Sequence, residues 1–254
     1  MGYKGYFFDL DGVAYWGDQS IPTCRDFVNQ LVNENIKVCF LTNNSSRTPE
    51  MVAKHLQDLG YNVDEQNVIT SSQVTVDYLL KGNKLRIYMI GMEGLYKALT
   101  DNGFEIVNED ADYVVVGLDK HLTYDKLAQA SYEIFKGATF ISTNSDLRLL
   151  TNLGVAPGNG SISGILELAT GIKPIYMGKP EPQMFEFGLK KLNLNPEDVV
   201  MVGDNYYTDI LGAHQFGIDS IFVETGVMTK EEILQFPNKP TYIVKDLSYF
   251  KNGM

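Results

Sequence analysis

Cysteine is nearly absent from this chain of 254 residues: Cys24 and Cys39 are the only two, and no CxxC spacing links them. That argues against a disulfide framework or a thiolate zinc site and leaves two packing residues in a reducing compartment. Basic residues are also scarce, 21 Lys and Arg against 32 Asp and Glu, for a net charge of −11. Nucleic acid rewards Lys and Arg through its phosphates, so no nucleic-acid partner is expected. His55, His121 and His214 are scattered without metal-ligand spacing, which leaves them structural or surface roles. No run approaches the roughly twenty apolar residues needed to span a bilayer, so no membrane partner is expected either. The opening residues lack the charged-then-apolar pattern of a secretory signal, and the expected location is cytoplasmic.

What is present is a rhythm. Gly5–Phe8 reads as a buried strand, Thr23–Asn35 carries Phe27, Leu31 and Val32 at helical spacing, and Ile36–Leu41 is a second buried strand. A helix opened by Pro49 and ended by Gly60 follows, then Val68-Ile69 and a helix to about Leu80. Strand alternating with helix is the pattern of a parallel sheet with crossover helices. After the polar break Lys81–Lys84 come strands at Leu85–Ile90, Tyr113–Gly117 and Thr139–Ser142 and helices at Glu93–Asn102 and Thr123–Phe135. Thr143–Gly160 reads as irregular and Ser161–Thr170 as a short helix. Beyond Gly178–Pro182 the first rhythm resumes, with strands at Val199–Val202, Ser220–Val223 and Tyr242–Val244 and helices at Gln183–Leu192, Thr208–Phe216 and Lys230–Gln235. The prediction is an α/β protein: a discontinuous doubly wound, Rossmann-like core over 1–82 and 177–254, with a smaller α/β domain inserted at 83–176.

Three of these strands end in polar chemistry: Phe8 into Asp9-Leu10-Asp11, Leu41 into Thr42-Asn43-Asn44, and Val202 into Gly203-Asp204-Asn205. Each ending alone also reads as a turn, since Asn and Asp favour turns for local hydrogen-bonding reasons. Together they point to a site, because open parallel sheets bind ligands at the carboxyl ends of their strands. Asp9 and Asp11, two residues apart, start on one side of the chain and repel unless a cation intervenes or one holds a proton. Mg²⁺ takes hard oxygen ligands, typically one or two carboxylates plus substrate phosphate, and Asp9 and Asp204 supply carboxylates. A carboxylate can attack phosphorus, and a second one beside it can protonate the leaving oxygen and later activate water. Thr42 and the following amides can hold phosphate oxygens, and Lys179 can neutralise charge in the transition state.

With these residues in view the chain resembles the haloacid dehalogenase-like (HAD) superfamily, and within it the type IIA, NagD-like and p-nitrophenyl-phosphatase-like group. Asp9-Leu10-Asp11-Gly12-Val13 is similar to the first motif, Thr42-Asn43-Asn44-Ser45 to the second, Gly178-Lys179-Pro180 to the third, and Gly203–Ile210 to the fourth. The resemblance implies Asp9 as nucleophile and Asp11 as general acid/base. It implies Thr42, Asn43, Asn44 and Lys179 on the phosphate, and Mg²⁺ on Asp9, the Asp11 carbonyl and Asp204. Asp209 and Asn205 fall in supporting positions, and the insert becomes a cap that closes over the site and selects the substrate. Asn144 and Asp146, within Thr143-Asn144-Ser145-Asp146, read equally as a turn or as substrate-facing cap residues. Trp16 reads equally as a residue near the site mouth and as core. The implied partner is a small phosphorylated metabolite, and the resemblance allows a homodimer or higher homo-oligomer formed through the cap.

Two departures stand out: Val13 where the wider superfamily usually has Thr, and Leu149–Gly154 where better-known members have a Pro-Thr-Glu-like stretch. The second lies in the expected substrate-facing region, so the substrate does not transfer with the resemblance. The expected activity is a Mg²⁺-dependent phosphomonoester phosphatase working through an aspartyl-phosphate, able to hydrolyse p-nitrophenyl phosphate. Retention of Asp11 argues against a dehalogenase or a phosphorylated-aspartate pump. A phosphomutase and a catalytically weak binding or regulatory module are the alternatives.

Overall fold

The structure, a computed structural model, describes residues 2–151 and 153–250. Asn152, inside the divergent segment noted above, lies outside the described residues. The chain forms two compact units. One comprises the residues up to Thr42, Pro49–Ile69 and the residues from Lys179 on; the other comprises Asn43–Thr48 and Thr70–Gly178. The helix Ser71–Leu79, predicted as part of the core, groups with the second unit. There its Ser71 hydroxyl donates to the Asn43 carbonyl and its Ser72 hydroxyl to that of Ser45.

The first unit is built on a six-stranded sheet in the order Tyr242–Val244, Asp219–Val223, Val199–Gly203, Gly5–Phe8, Lys37–Thr42, Val68–Thr70. The first five pair in parallel. Gly5–Phe8 is central, and its side chains are covered on both faces: Tyr6, Phe7 and Phe8 are all fully buried. A continuous apolar run rather than an alternating one is what such a position requires. The helix Pro22–Asn33 starts on proline, which suits a first turn, and buries Cys24, Phe27, Val28 and Leu31 at i, i+3, i+4 and i+7. The Phe27 ring meets Tyr6 edge-on at 5.5 Å. Full burial of a side chain such as Phe8 contributes roughly 1.5–3 kcal/mol.

The second unit carries a five-stranded sheet ordered Ile175–Tyr176, Thr139–Ser142, Tyr113–Val116, Arg86–Ile90, Glu105–Ile106, with every neighbour pair parallel. Its core gathers Ile90, Val114, Val116, Ile134, Phe140 and Leu166. The Thr123 hydroxyl accepts from the Lys126 N–H and caps the helix Tyr124–Phe135.

Three local differences from the sequence reading emerge. The segment read as irregular contains an antiparallel hairpin, Arg148–Thr151 against Gly154–Pro157. Its strands are too short for a periodicity to show, and the flanking Asn, Gly and Pro mimic a loop. A second, smaller hairpin, Tyr15–Trp16 against Gln19–Ser20, lies between the first predicted strand and the first predicted helix, where no strand was expected. The predicted helix Thr208–Phe216 starts earlier, as a π-helical turn over Tyr206–Ile210 followed by an α-helix over Leu211–Phe216. Among the described residues no helix is long and apolar enough to cross a membrane.

Candidate active site

Parallel pairing on both sides of the central strand decides what meets at its end. Phe8 lies opposite Phe40 on one neighbour and Val202 on the other. Asp9, Thr42 and Asp204 therefore leave the sheet at the same, carboxyl, end. The Asp9 N–H donates to the Val202 carbonyl at 2.9 Å, which extends the ladder one residue past the strand. Gly12, at φ +82°, then turns the chain in a conformation that side chains rarely adopt.

Carboxylate oxygens of Asp9, Asp204 and Asp209 all lie within 4.8 Å of one another. Beside them sits Lys179, 2 % exposed, whose Nζ is 2.6 Å from Asp9 Oδ1 and 2.7 Å from Asp209 Oδ1. Asp209 is fully buried and also accepts from the Asn205 N–H at 3.2 Å. It stands on the π-helical turn, which carries its carboxylate under the strand end. The sequence reading placed a cation on the Asp9 and Asp204 carboxylates and the Asp11 main-chain carbonyl; the carboxylates that converge are Asp9, Asp204 and, in addition, Asp209. The Asp11 side chain is exposed and outside that group.

The cluster holds more acid than base. Burial, with the charges of Asp9 and Asp209, pushes the Asp204 carboxyl up to about 8, against the pull of the Val227 N–H and Lys179. Burial also raises Asp209, to about 7, even though Lys179 opposes it. Burial disfavours the Lys179 ammonium, but Asp209 and Asp9 together outweigh it and hold the lysine above its usual range. One ammonium serves three carboxyl groups, so Asp204 and Asp209 keep protons that ordinary carboxyls would have lost. Oxygen-only donors at this spacing fit a hard divalent ion, which would take the place of those protons.

The remaining predicted residues divide. Thr42 is buried at the end of its strand in the first unit, whereas Asn43 and Asn44 belong to the second. There the Asn43 amide donates to both carboxylate oxygens of Asp146, at 3.2 and 3.1 Å, and the Asn144 amide donates to the Asn43 carbonyl at 2.7 Å. The structure thus joins Asn43, Asn144 and Asp146. Asn44 Oδ1 accepts from the Ser46 N–H and hydroxyl, a local turn. Asn205 Oδ1 caps the following turn by accepting from the Tyr207 N–H at 3.0 Å.

The sequence reading missed the turn after the strand Asp219–Val223. The Val227 N–H donates to Asp204 Oδ2 at 2.6 Å, and Gly226 packs against that carboxylate so closely that a Cβ would sit 1.7 Å from Oδ2. A signal was available in the sequence: like the three strands that end in polar residues, this apolar run stops in turn residues, Glu224-Thr225-Gly226.

Comparison with known proteins agrees with this arrangement. A profile of the haloacid dehalogenase-like hydrolases matches residues 6–105, and a second, HAD-hydrolase-like profile matches 176–249. The chain is 42 % identical over 248 residues to an acid sugar phosphatase of Staphylococcus haemolyticus, covering 97 % of this chain and 94 % of the relative. It is 40 % identical over 247 residues to the 5'-nucleotidase YutF of Bacillus subtilis, covering 97 % and 96 %. Among solved structures, a single-mutant thermostable NPPase from Geobacillus stearothermophilus superposes with a TM-score of 0.94 at 43 % identity, over 99 % of this chain and 100 % of that one. NagD from E. coli K-12 superposes with a TM-score of 0.94 at 30 % identity, over 99 % of each chain. Strand-end carboxylates, a buried lysine and near full-length likeness agree: the chain belongs to the haloacid dehalogenase-like hydrolases, in the type IIA group of NagD and the p-nitrophenylphosphatases, and is a phosphatase.

Proposed function

We propose that the chain is a Mg²⁺-dependent phosphomonoesterase that forms an aspartyl-phosphate on Asp9 and acts on a small phosphorylated metabolite in the cytoplasm. The observation that carries this reading is the convergence of Asp9, Asp204 and Asp209 on the buried Lys179. Asp9, Asp204 and the Asp11 carbonyl would hold the ion, with Asp209 in support. Bound Mg²⁺ screens the repulsion between an anionic nucleophile and an anionic phosphate.

Lys179, held between Asp9 and Asp209, fixes the Asp9 carboxylate through Oδ1 and carries positive charge toward the transferring group. A carboxylate oxygen of Asp9 attacks phosphorus, the bond to the ester oxygen breaks, and Asp11 gives its proton to the departing alcohol. Asp11, now a base, takes a proton from water; the resulting nucleophile attacks phosphorus, releasing inorganic phosphate and restoring Asp9. The Thr42 hydroxyl is assigned to the non-transferring oxygens.

Relatives at about the same identity carry the names acid sugar phosphatase and 5'-nucleotidase. Shared catalytic chemistry therefore does not name the ester, and we assign that choice to the inserted residues 83–176. Phosphate release should be measured over a panel of p-nitrophenyl phosphate, sugar phosphates and nucleoside 5'-monophosphates. Release is expected with Mg²⁺, is lost in EDTA, and returns on adding the ion. Turnover undiminished by EDTA would remove the metal from the reaction; no turnover of any ester would remove the reaction.

A second expectation follows from Asp204. In the fold it holds its proton to about pH 8, whereas an unfolded aspartate has lost it above about pH 4. Between these values the folded chain binds more protons than the unfolded one, so metal-free stability falls as pH rises. A cation displaces that proton and relieves the repulsion. The Mg²⁺-induced gain in Tm should therefore be larger at about pH 8.5 than at about pH 5.5. Differential scanning fluorimetry checks this, and a gain independent of pH would put the ion away from Asp204.

A further inference from the structure

Asp204 is steered by a segment that none of the four motifs contains. Its Oδ2 accepts from the Val227 N–H at 2.6 Å, and Gly226 lies flat against the carboxylate. Gly12 stands beside it, where a Cβ would come within 2.6 Å of the same Oδ2 and 2.7 Å of the Gly226 Cα. Asp204 Oδ2 is therefore crowded by two glycines, with one lone pair spent on a backbone amide. Confinement of this kind fixes the carboxylate plane, and with it the direction of the oxygen that remains for a cation.

The wall is itself held. The Thr225 hydroxyl donates to the Gly12 carbonyl at 2.6 Å, which ties the turn after Asp11 to the turn that touches Asp204. Trp16 Nε1 donates to the Thr225 carbonyl, also at 2.6 Å. Trp16 is 49 % exposed and belongs to the hairpin Tyr15–Trp16/Gln19–Ser20, so its indole is no core residue; its one polar atom is engaged on this segment. The hairpin has its own anchor, a 3.0 Å contact between His55 Nε2 and the Gly17 carbonyl.

We propose that Thr225, Gly226 and Val227 form a positioning segment of the metal site, locked by Trp16, so that the hairpin and the cation affinity of Asp204 are coupled. This rests on the Mg²⁺ reading given above. The segment would act through Asp204 alone, by setting the orientation of a carboxylate that would hold the ion. Loosening the Trp16 N–H or the Thr225 O–H frees the turn, misaligns the Val227 N–H and lets the Asp204 carboxylate rotate.

Calorimetric titration of Mg²⁺ into the full-length protein tests the coupling without substrate. Trp16→Phe keeps the ring and loses the N–H; Thr225→Val keeps the shape and loses the O–H. Each should weaken the Mg²⁺ Kd by about tenfold, the usual cost of removing an outer-shell partner. Gly226→Ala, which drives a methyl into the carboxylate, should weaken it further. Unfolding in EDTA separates positioning from bulk structure: the Trp16→Phe and Thr225→Val proteins should keep a Tm within about 4 °C of wild type. Because Trp16 is the only tryptophan, its emission should also shift saturably with Mg²⁺ in the wild type and stay flat in Asp204→Asn. Wild-type uptake of Mg²⁺ with an unchanged Kd in both Trp16→Phe and Thr225→Val overturns the coupling alone. A wild-type protein that takes up no Mg²⁺ overturns the metal reading beneath it.

Discussion

Asp9→Asn is expected to lower phosphate release by about 10⁴-fold or more at saturating Mg²⁺, the scale seen when a covalent nucleophile is removed. The amide is nearly isosteric but is neutral and a poor nucleophile toward phosphorus. It also withdraws one of the two carboxylates that hold Lys179 Nζ and one of the three that converge on the cation site. Mg²⁺ affinity should therefore fall as well. Asp11→Asn is the informative companion. Its exposed side chain lies outside the carboxylate cluster, and its main-chain carbonyl survives the substitution. That variant should lose about 10²- to 10⁴-fold in turnover, the worth of a positioned acid and base, with Mg²⁺ affinity largely intact. Steady-state kinetics on p-nitrophenyl phosphate, paired with calorimetric Mg²⁺ titration, distinguishes the two. An Asp9→Asn protein that retains its rate would end the nucleophile assignment; an Asp11→Asn protein that does so would end the proton-transfer assignment.

Lys179→Met should damage stability and activity together. The ammonium is 2 % exposed and is held by Asp9 and Asp209. Methionine fills the stem's volume but leaves a fully buried Asp209 facing Asp9 and Asp204 with no cation of the protein's own. Breaking a buried ion pair from one side costs about 3–5 kcal/mol, because the partner charge is stranded. Asp209 is raised even with the lysine present, so losing it raises the carboxyl further. The folded variant then holds a proton that the unfolded chain has released, and its deficit grows as pH rises. Denaturant unfolding in EDTA should show a small loss near about pH 5 and a large one near about pH 8. A deficit that does not change with pH would mean that lost packing, not stranded charge, is what the substitution exposes. Adding Asp209→Asn should recover much of the stability through the shared contact. It should not recover turnover, because the charge facing phosphate is still missing; about 10²- to 10³-fold in kcat should remain lost.

These expectations concentrate where the sequence was most readable. Asp9, Asp204 and Lys179 each announce themselves locally: an apolar run that stops in an acid, or a lysine set between Gly178 and Pro180. Asp209 did not. In sequence it is an acid near a helix start, which helix electrostatics alone would explain. Only the π-helical turn over Tyr206–Ile210 brings it back to Lys179. Asp146, which read equally as a turn or a substrate-facing residue, receives the amide of Asn43, 103 positions away. The hairpin Arg148–Pro157 was hidden because two four-residue strands are too short to display a period among Gly, Pro and Thr.

By itself the sequence determined the alternation of strand and helix, the continuous apolar run of a strand buried on both faces, and the acids placed where such strands stop. Those are short-range properties, governed by side-chain period and backbone conformation within a few residues. Tertiary structure alone decided that Phe8 would stand beside Val202 rather than one residue away, and that Lys179 would lie between acids 170 and 30 positions distant. It also decided that a turn at Thr225–Val227 would grip Asp204. Register and crossover set those meetings, through packing on both faces of one sheet, and no local pattern records them.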